Sequence, residues 1–142
     1  MALRAKQIMS ERISVGPDTP VKEAARKMMS YGQPGLAVVN DKMEIVGVIT
    51  EFNVLGAIRE GMNLNKITAA RIMTTDPTTA DIDTSSKDLI QTMLLNNFTF
   101  IPIVNKNKYV GMVSRHSIMD ACVSPDYNAF SFSEQKELCS CV

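Results

Sequence analysis

Apolar positions along the chain fall into a pattern that changes period several times. Val21, Ala24, Ala25, Met28 and Met29 recur at i, i+3, i+4, i+7 and i+8, with Lys22, Glu23, Arg26 and Lys27 between them. That spacing predicts a helix with one apolar stripe and one wetted face. Thr19-Pro20 sets its start, threonine as N-cap and proline at the first helical position, and Gly32 with Pro34-Gly35 ends it. Leu36 to Val39 is a continuous apolar run of strand length, Asn40-Asp41-Lys42 turns the chain, and Ile45 to Ile49 returns as the second arm of a hairpin. Thr50 caps a further helix, Glu51 to about Glu60, that stops at Gly61. Ser14-Val15, ahead of all this, is a short strand closed by Gly16-Pro17.

The same succession then recurs. Ile8-Met9 is answered by Ile72-Met73 at an offset of 64, Asp18-Thr19 by Asp83-Thr84 at 65, and Val46 to Thr50 by Val110 to Ser114 at 64. Ser85 and Asp88 give a capping pattern, Leu89, Ile90, Met93 and Leu94 the stripe, and Ile101 to Val104 with Tyr109 to Val113 the hairpin. Ser114 caps a helix from Arg115 to Cys122, with Pro125 just beyond. The order strand, helix, strand, strand, helix is thus duplicated, which predicts an α+β fold of two β-α-β-β-α units sharing apolar surface. The divisions are residues 5–61, a linker 62–70, residues 71–123, and a tail 124–142.

Composition adds exclusions. A chain of 142 residues with 45% apolar and 21% charged residues suits one compact globular domain. Fifteen basic residues balance fifteen acidic ones, which argues against a nucleic-acid polymer as partner. No apolar run approaches the roughly 18 to 20 residues that span a bilayer, so no membrane partner is expected. The first residues lack the apolar stretch of a secretory signal. Cys122, Cys139 and Cys141 make no disulfide framework, and a reducing cytoplasm is the expected location.

The duplicated Gly-apolar-x-apolar-Thr/Ser strand ends, Gly47 to Thr50 and Gly111 to Ser114, and the apolar-Pro-apolar strand Ile101-Pro102-Ile103 resemble the CBS domain, the module named after cystathionine beta-synthase. The resemblance covers residues 5 to 123, with Ala37 where the family usually has proline. It implies two repeats packed about a pseudo-twofold axis, pairing further into homodimers.

A strand ending in Thr50 and leading into a helix offers N–H donors and a positive dipole end to a phosphate. The Thr50 hydroxyl can donate to that phosphate, and Asn53 can bond a ribose hydroxyl without the charge assistance of a carboxylate. The ordinary alternative is an N-cap with a solvated first-turn residue. The family resemblance implies that this Thr/Ser-x-x-Asp/Asn pattern holds the sugar and phosphate of an adenosine nucleotide. It further implies that Gln33, Pro34 and Gly35 border the adenine with Thr19 and Ala24. In the second copy the matching positions are Ser114, Ser117, Thr84, Leu89 and the run Phe98-Thr99-Phe100. Ser117 replaces the acid or amide there, Arg115 is either a phosphate partner or a solvated charge, and the two aromatics either stack on a base or fill the slot. The first copy is therefore the stronger candidate.

No catalytic constellation stands out: there is no Gly-rich phosphate loop, no G-x-S-x-G, and no metal-ligand spacing. His116 has no partner set near it in sequence, and Cys139-Ser140-Cys141 falls short of a four-ligand site. The methionines on the stripes read as core. The expected function is a regulatory module, not an enzyme, with no required cofactor. It binds AMP, ADP or ATP, with S-adenosylmethionine possible as ligand, in the crevice between the repeats. It signals to an unknown protein effector. The alternative is a ligand-free dimerisation or docking module.

Overall fold

Among the described residues these segments form two sheets and six helices. We describe residues 3–123 of a computed structural model. The elements run α1 (Ala5–Ile8), β1 (Ser14–Val15), α2 (Val21–Ser30), β2 (Gly35–Val39), β3 (Ile45–Thr50), α3 (Glu51–Arg59), α4 (Ala69–Ile72) and β4 (Thr74–Thr75). The second copy supplies β5 (Ala80–Asp81), α5 (Ser86–Asn96), β6 (Phe100–Asn105), β7 (Lys108–Ser114) and α6 (Arg115–Val123). One sheet has the order β1-β2-β3-β4 and the other β5-β6-β7. The duplicated α+β order is therefore present. The tail, with Cys139, Ser140 and Cys141, lies outside the described residues.

The compact bodies exchange segments between the sequence repeats. One body holds residues 12–78 with the hairpin tip 106–109; the other holds residues 3–11, 79–105 and 110–123. Each short helix explains its part of the exchange. The Ala5 and Lys6 N–H groups of α1 donate to Thr84 O and Ile82 O, at 2.8 and 3.0 Å. In the other body Ala69 and Ala70 of α4 donate to Thr19 O and Pro17 O, at 2.8 and 3.0 Å. A strand-to-helix turn has unpaired carbonyls, and a short helix start has unpaired N–H groups, so each satisfies the other.

In the body of residues 12–78 and 106–109, Val21, Ala24 and Met28 of α2 pack with Leu36, Val38 and Ile49 of the sheet and with Val54 of α3. In the other body Leu89, Ile90 and Met93 of α5 pack with Ile101, Ile103, Val113, Ile118 and the α1 residues Ala5 and Ile8. Both predicted stripes are one residue too wide. Met29 is 73% exposed and Leu94 is 56% exposed. Each lies eight residues after the first buried helical position, about 80° round the helix from it and beyond the edge of the buried face.

The start of α2 also differs from the prediction. The helix begins at Val21 with Pro20 as its N-cap. Thr19 does not cap it. Its Oγ1 accepts the Gly16 N–H at 3.1 Å, while Val21 and Lys22 N–H groups donate to Ile67 O and Leu64 O, both at 3.0 Å. Carbonyls from the 62–70 linker thus do what a capping side chain would do.

Candidate functional site

The β2–β3 register sets Gly35 opposite Thr50, which brings the segment Gln33-Pro34-Gly35 to the start of α3. Thr50 is extended, with φ −113°, and its side chain closes a capping box with Asn53. The Thr50 N–H and the Thr50 hydroxyl both donate to Asn53 Oδ1 at 2.9 Å, and the Asn53 N–H donates to Thr50 Oγ1 at 3.2 Å. The Glu51 N–H donates to Pro34 O at 3.3 Å. The helix start is thus less open than its sequence suggests. Two first-turn N–H groups are taken, and the exposed Glu51 adds negative charge beside them.

Asn53 keeps one loosely held donor. Its Nδ2 lies 3.5 Å from Thr74 Oγ1, and Thr74 is exposed on β4. Pro34, Gly35, Thr50, Asn53 and Thr74 therefore form one cluster of neutral donors and acceptors at one end of the sheet. Thr74 was not among the residues singled out from sequence. Its signal is nonetheless there: Ile72-Met73-Thr74 repeats Ile8-Met9-Ser10. The duplicated glycines answer the same two segments. A Cβ on Gly47 would lie 2.9 Å from Thr74 O and 2.6 Å from Met73 Sδ; one on Gly111 would lie 2.8 Å from Ser10 O. Each glycine sits where the Ile-Met-Ser/Thr segment crosses β3 or β7 with no room for a side chain.

In the other body the matching helix start is more closed. Ser114 is buried, its N–H donates to Ser117 Oγ at 2.9 Å, and the Ser117 N–H donates back to Ser114 Oγ at 3.1 Å. Ser117 Oγ donates in turn to Ser114 O at 2.9 Å. The Arg115 guanidinium is turned to its own chain: Nε donates to Phe98 O and Nη2 to Asn97 Oδ1, each at 2.8 Å. The Arg115 N–H donates to Thr99 O at 3.1 Å, which repeats the Glu51–Pro34 bond. Thr99 is thus brought to Ser114 and Arg115, and Phe100 is core.

The structure does not bring Thr19, Thr84 and Ala24 to these clusters. Thr84 Oγ1 accepts the Asp81 N–H at 3.1 Å, locking its turn as Thr19 locks Gly16. Thr19 lines an open depression of about 440 Å³ formed by Gly16 to Thr19 and Val39 to Asp41, at the far end of β2 from Gly35. Ala24 and Leu89 are buried in their cores. Among the described residues no group of three metal-binding side chains converges, and His116 is an exposed helix residue.

The CBS domain profile matches residues 5–60 and 69–124. The chain belongs to the CBS domain family. It is similar to an uncharacterized 17.7 kDa protein of Acidianus ambivalens, 28% identical over 139 residues, covering 96% of this chain and 82% of that protein. Two further archaeal relatives are longer, and the chain spans 56% and 39% of their length. Among solved structures it resembles the CBS domain pair of protein MJ0100 in complex with 5'-methylthioadenosine and S-adenosyl-L-methionine. That match has TM-score 0.74 and 25% identity, covering 84% of this chain and 94% of the other. CBSX2 in complex with AMP shares the fold at TM-score 0.75 and 23% identity, covering 87% of this chain and 98% of that one.

Proposed function

We propose that this CBS chain is a regulatory module that binds an adenosine compound at the Thr50 cluster, as a homodimer, and passes occupancy to a protein effector. The observation that carries the reading is the cluster of neutral groups at Pro34, Gly35, Thr50, Asn53 and Thr74. A ribose diol presents two adjacent hydroxyls, each a donor and an acceptor. An amide with a loosely engaged N–H and two threonine hydroxyls can match both. The Glu51 charge and the occupied N–H groups weigh against a phosphate bound directly at the α3 start. Among AMP, ADP, ATP and S-adenosylmethionine, this favours ligands whose anionic groups lie away from α3. The MJ0100 domain pair, with its two adenosine compounds, supports that class. A cytoplasmic location fits such a ligand. The ligand acts by favouring one of two arrangements of the protein, to the extent of its differential affinity for them.

Thermal denaturation with AMP, ATP and S-adenosylmethionine tests this. Ligand at 100 times its dissociation constant adds about 2.7 kcal/mol of stability. Asn53→Ala lowers affinity at least about tenfold and, because its Oδ1 accepts the Thr50 N–H and hydroxyl, also costs about 1 kcal/mol of apo stability. No shift with any of the three at millimolar concentration overturns the reading.

One observation favours a second reading, a ligand-free dimerisation or docking module. The Thr50, Ser114 and Ser117 hydroxyls and the Arg115 guanidinium all have partners within the chain. Thr50→Val separates the two: it abolishes the ligand response in the first reading and leaves every regulatory response unchanged in the second. Self-association has its own support. Phe52, Leu55 and Ile58 of α3, and Met119 and Val123 of α6, are large apolar side chains left exposed.

A further inference from the structure

We propose that Cys122 forms a reversible disulfide with Cys139 or Cys141 of the tail, and that the tail so held covers the apolar end of α6. The duplication supplies the comparison. At the offset of 64 that aligns Thr50 with Ser114, Leu55 and Ile58 of α3 answer Met119 and Cys122 of α6. The first copy has no cysteine anywhere. The second has one, in the copy that the C-x-C tail follows.

Cys122 stands where the core meets an open apolar patch. Ile118 and Ala121 are buried, and Cys122 is half-buried against the same core. Met119 has Cys122 at i+3 and Val123 at i+4, so the three line one side of the last turn of α6. Met119 is 58% exposed and Val123 78%.

A disulfide needs its two Cα atoms about 4.4–6.8 Å apart. Cys139 follows Cys122 by 17 residues and Cys141 by 19. A loop of that length closes at modest entropic cost. Tyr127, Phe130 and Phe132 fall inside the loop that either bond closes. Closure therefore keeps aromatic side chains beside Met119 and Val123, where they remove apolar surface from water. The occupant of this patch is thus the chain's own residues 124–142.

The oxidant is a small disulfide such as oxidised glutathione. One protein thiolate attacks it, forming a mixed disulfide and releasing one glutathione thiolate. The second protein thiolate then attacks the protein sulfur of the mixed disulfide and releases the other. Two electrons pass from the protein to glutathione, and the two thiol protons end on the released thiols. Two cysteines one residue apart make the bond labile, because each is a thiol placed to attack a disulfide made by the other. At a strongly reducing poise the bond is open, as redox-sensing bonds of reducing compartments are.

Incubation of the full chain in glutathione buffers of graded ratio, followed by acid quench, alkylation and mass spectrometry, tests this. Under oxidising conditions the intact chain loses two hydrogens and remains a single chain. Trypsin without reductant then yields peptide 116–136 joined to 137–142. Cys122→Ile, which restores the residue of the first copy, abolishes the joined peptide. Cys139→Ser and Cys141→Ser each retain it, and the two together abolish it. Cover has its own readout: oxidation raises the wild-type Tm by about 2–4 °C and leaves that of the Cys139→Ser/Cys141→Ser chain unchanged. Absence of the joined peptide at every ratio, or a bond between two chains in its place, overturns the latch. A joined peptide with no change in Tm overturns the cover and leaves the bond. Neither result bears on the Thr50 cluster, which lies in the other body.

Discussion

Gly47→Ala destabilises the protein by about 2–3 kcal/mol and abolishes the ligand response, with Gly111→Ala matching it in stability. Overpacking a well-filled site costs about 1–3 kcal/mol, and the upper part of that range applies when the obstacle is backbone. The new methyl group at position 47 would lie 2.9 Å from Thr74 O, and Met73 Sδ at 2.6 Å would also have to move. Methionine can swing aside; the Thr74 carbonyl is held by the pairing of Val48 with Thr74 and Gly47 with Thr75. Relief therefore requires β4 to shift from β3, which carries Thr74 away from Asn53. For a chain of this size the cost corresponds to a fall of roughly 5–10 °C in Tm. Gly16→Ala is the control, because its Cβ meets nothing nearer than 3.9 Å. Thermal melts of the three variants, with and without S-adenosylmethionine, check the prediction. A Gly47→Ala protein with wild-type Tm would show that β4 is not held against β3 in solution.

This crossing also marks where the sequence could and could not be read. The two helices and two hairpin strands of each copy are long enough for their periodicity to show. Their predicted bounds differ from the structure by one or two residues. Helices α1 and α4 span four residues each, too short for a 3.6-residue period to register, and they exist because distant turn carbonyls accept their N–H groups. The Thr19-Pro20 signal was misleading for a similar reason. Linker carbonyls satisfy the start of α2 from more than forty residues away, which frees the Thr19 hydroxyl to lock the preceding turn. No local rule anticipates that. The candidate site was half legible. Gly35, Thr50 and Asn53 meet as hairpin pairing and helix capping require, whereas Thr74 reaches Asn53 through a strand of two residues. The duplicated Ile-Met-Ser/Thr and Val-Gly motifs were both visible. What the sequence did not show is that one packs on the other.

The stability of wild type and Tyr109→Phe should cross between pH 10 and 12. Tyr109 is fully buried beside Ala37 and Val39, with Met43 and Ile45 packed against it. Its hydroxyl donates to Ile13 O at 2.8 Å, and its N–H donates to Met43 O at 2.9 Å. At neutral pH, Tyr109→Phe removes a buried hydrogen bond and costs about 1–2 kcal/mol. Burial pushes the phenol up to about 12 from its ordinary 10, against the opposing charge of Arg12. A group with a raised folded-state value gives its full stability below the unfolded value. That stability is lost as pH rises toward the folded value, because the unfolded chain ionises first. The two-unit gap corresponds to about 3 kcal/mol, lost progressively from pH 10 to 12. Phenylalanine has no such loss, so the wild-type advantage shrinks above pH 10, vanishes near pH 11 and is reversed by pH 12. All other groups are common to the two proteins, so their contributions cancel in the difference. Urea denaturation of the pair at pH 8, 10, 11 and 12 reads the effect directly. A constant difference across that range would mean that the Tyr109 hydroxyl is open to water and that the hairpin tip at residues 106–109 does not pack on Ala37 and Val39.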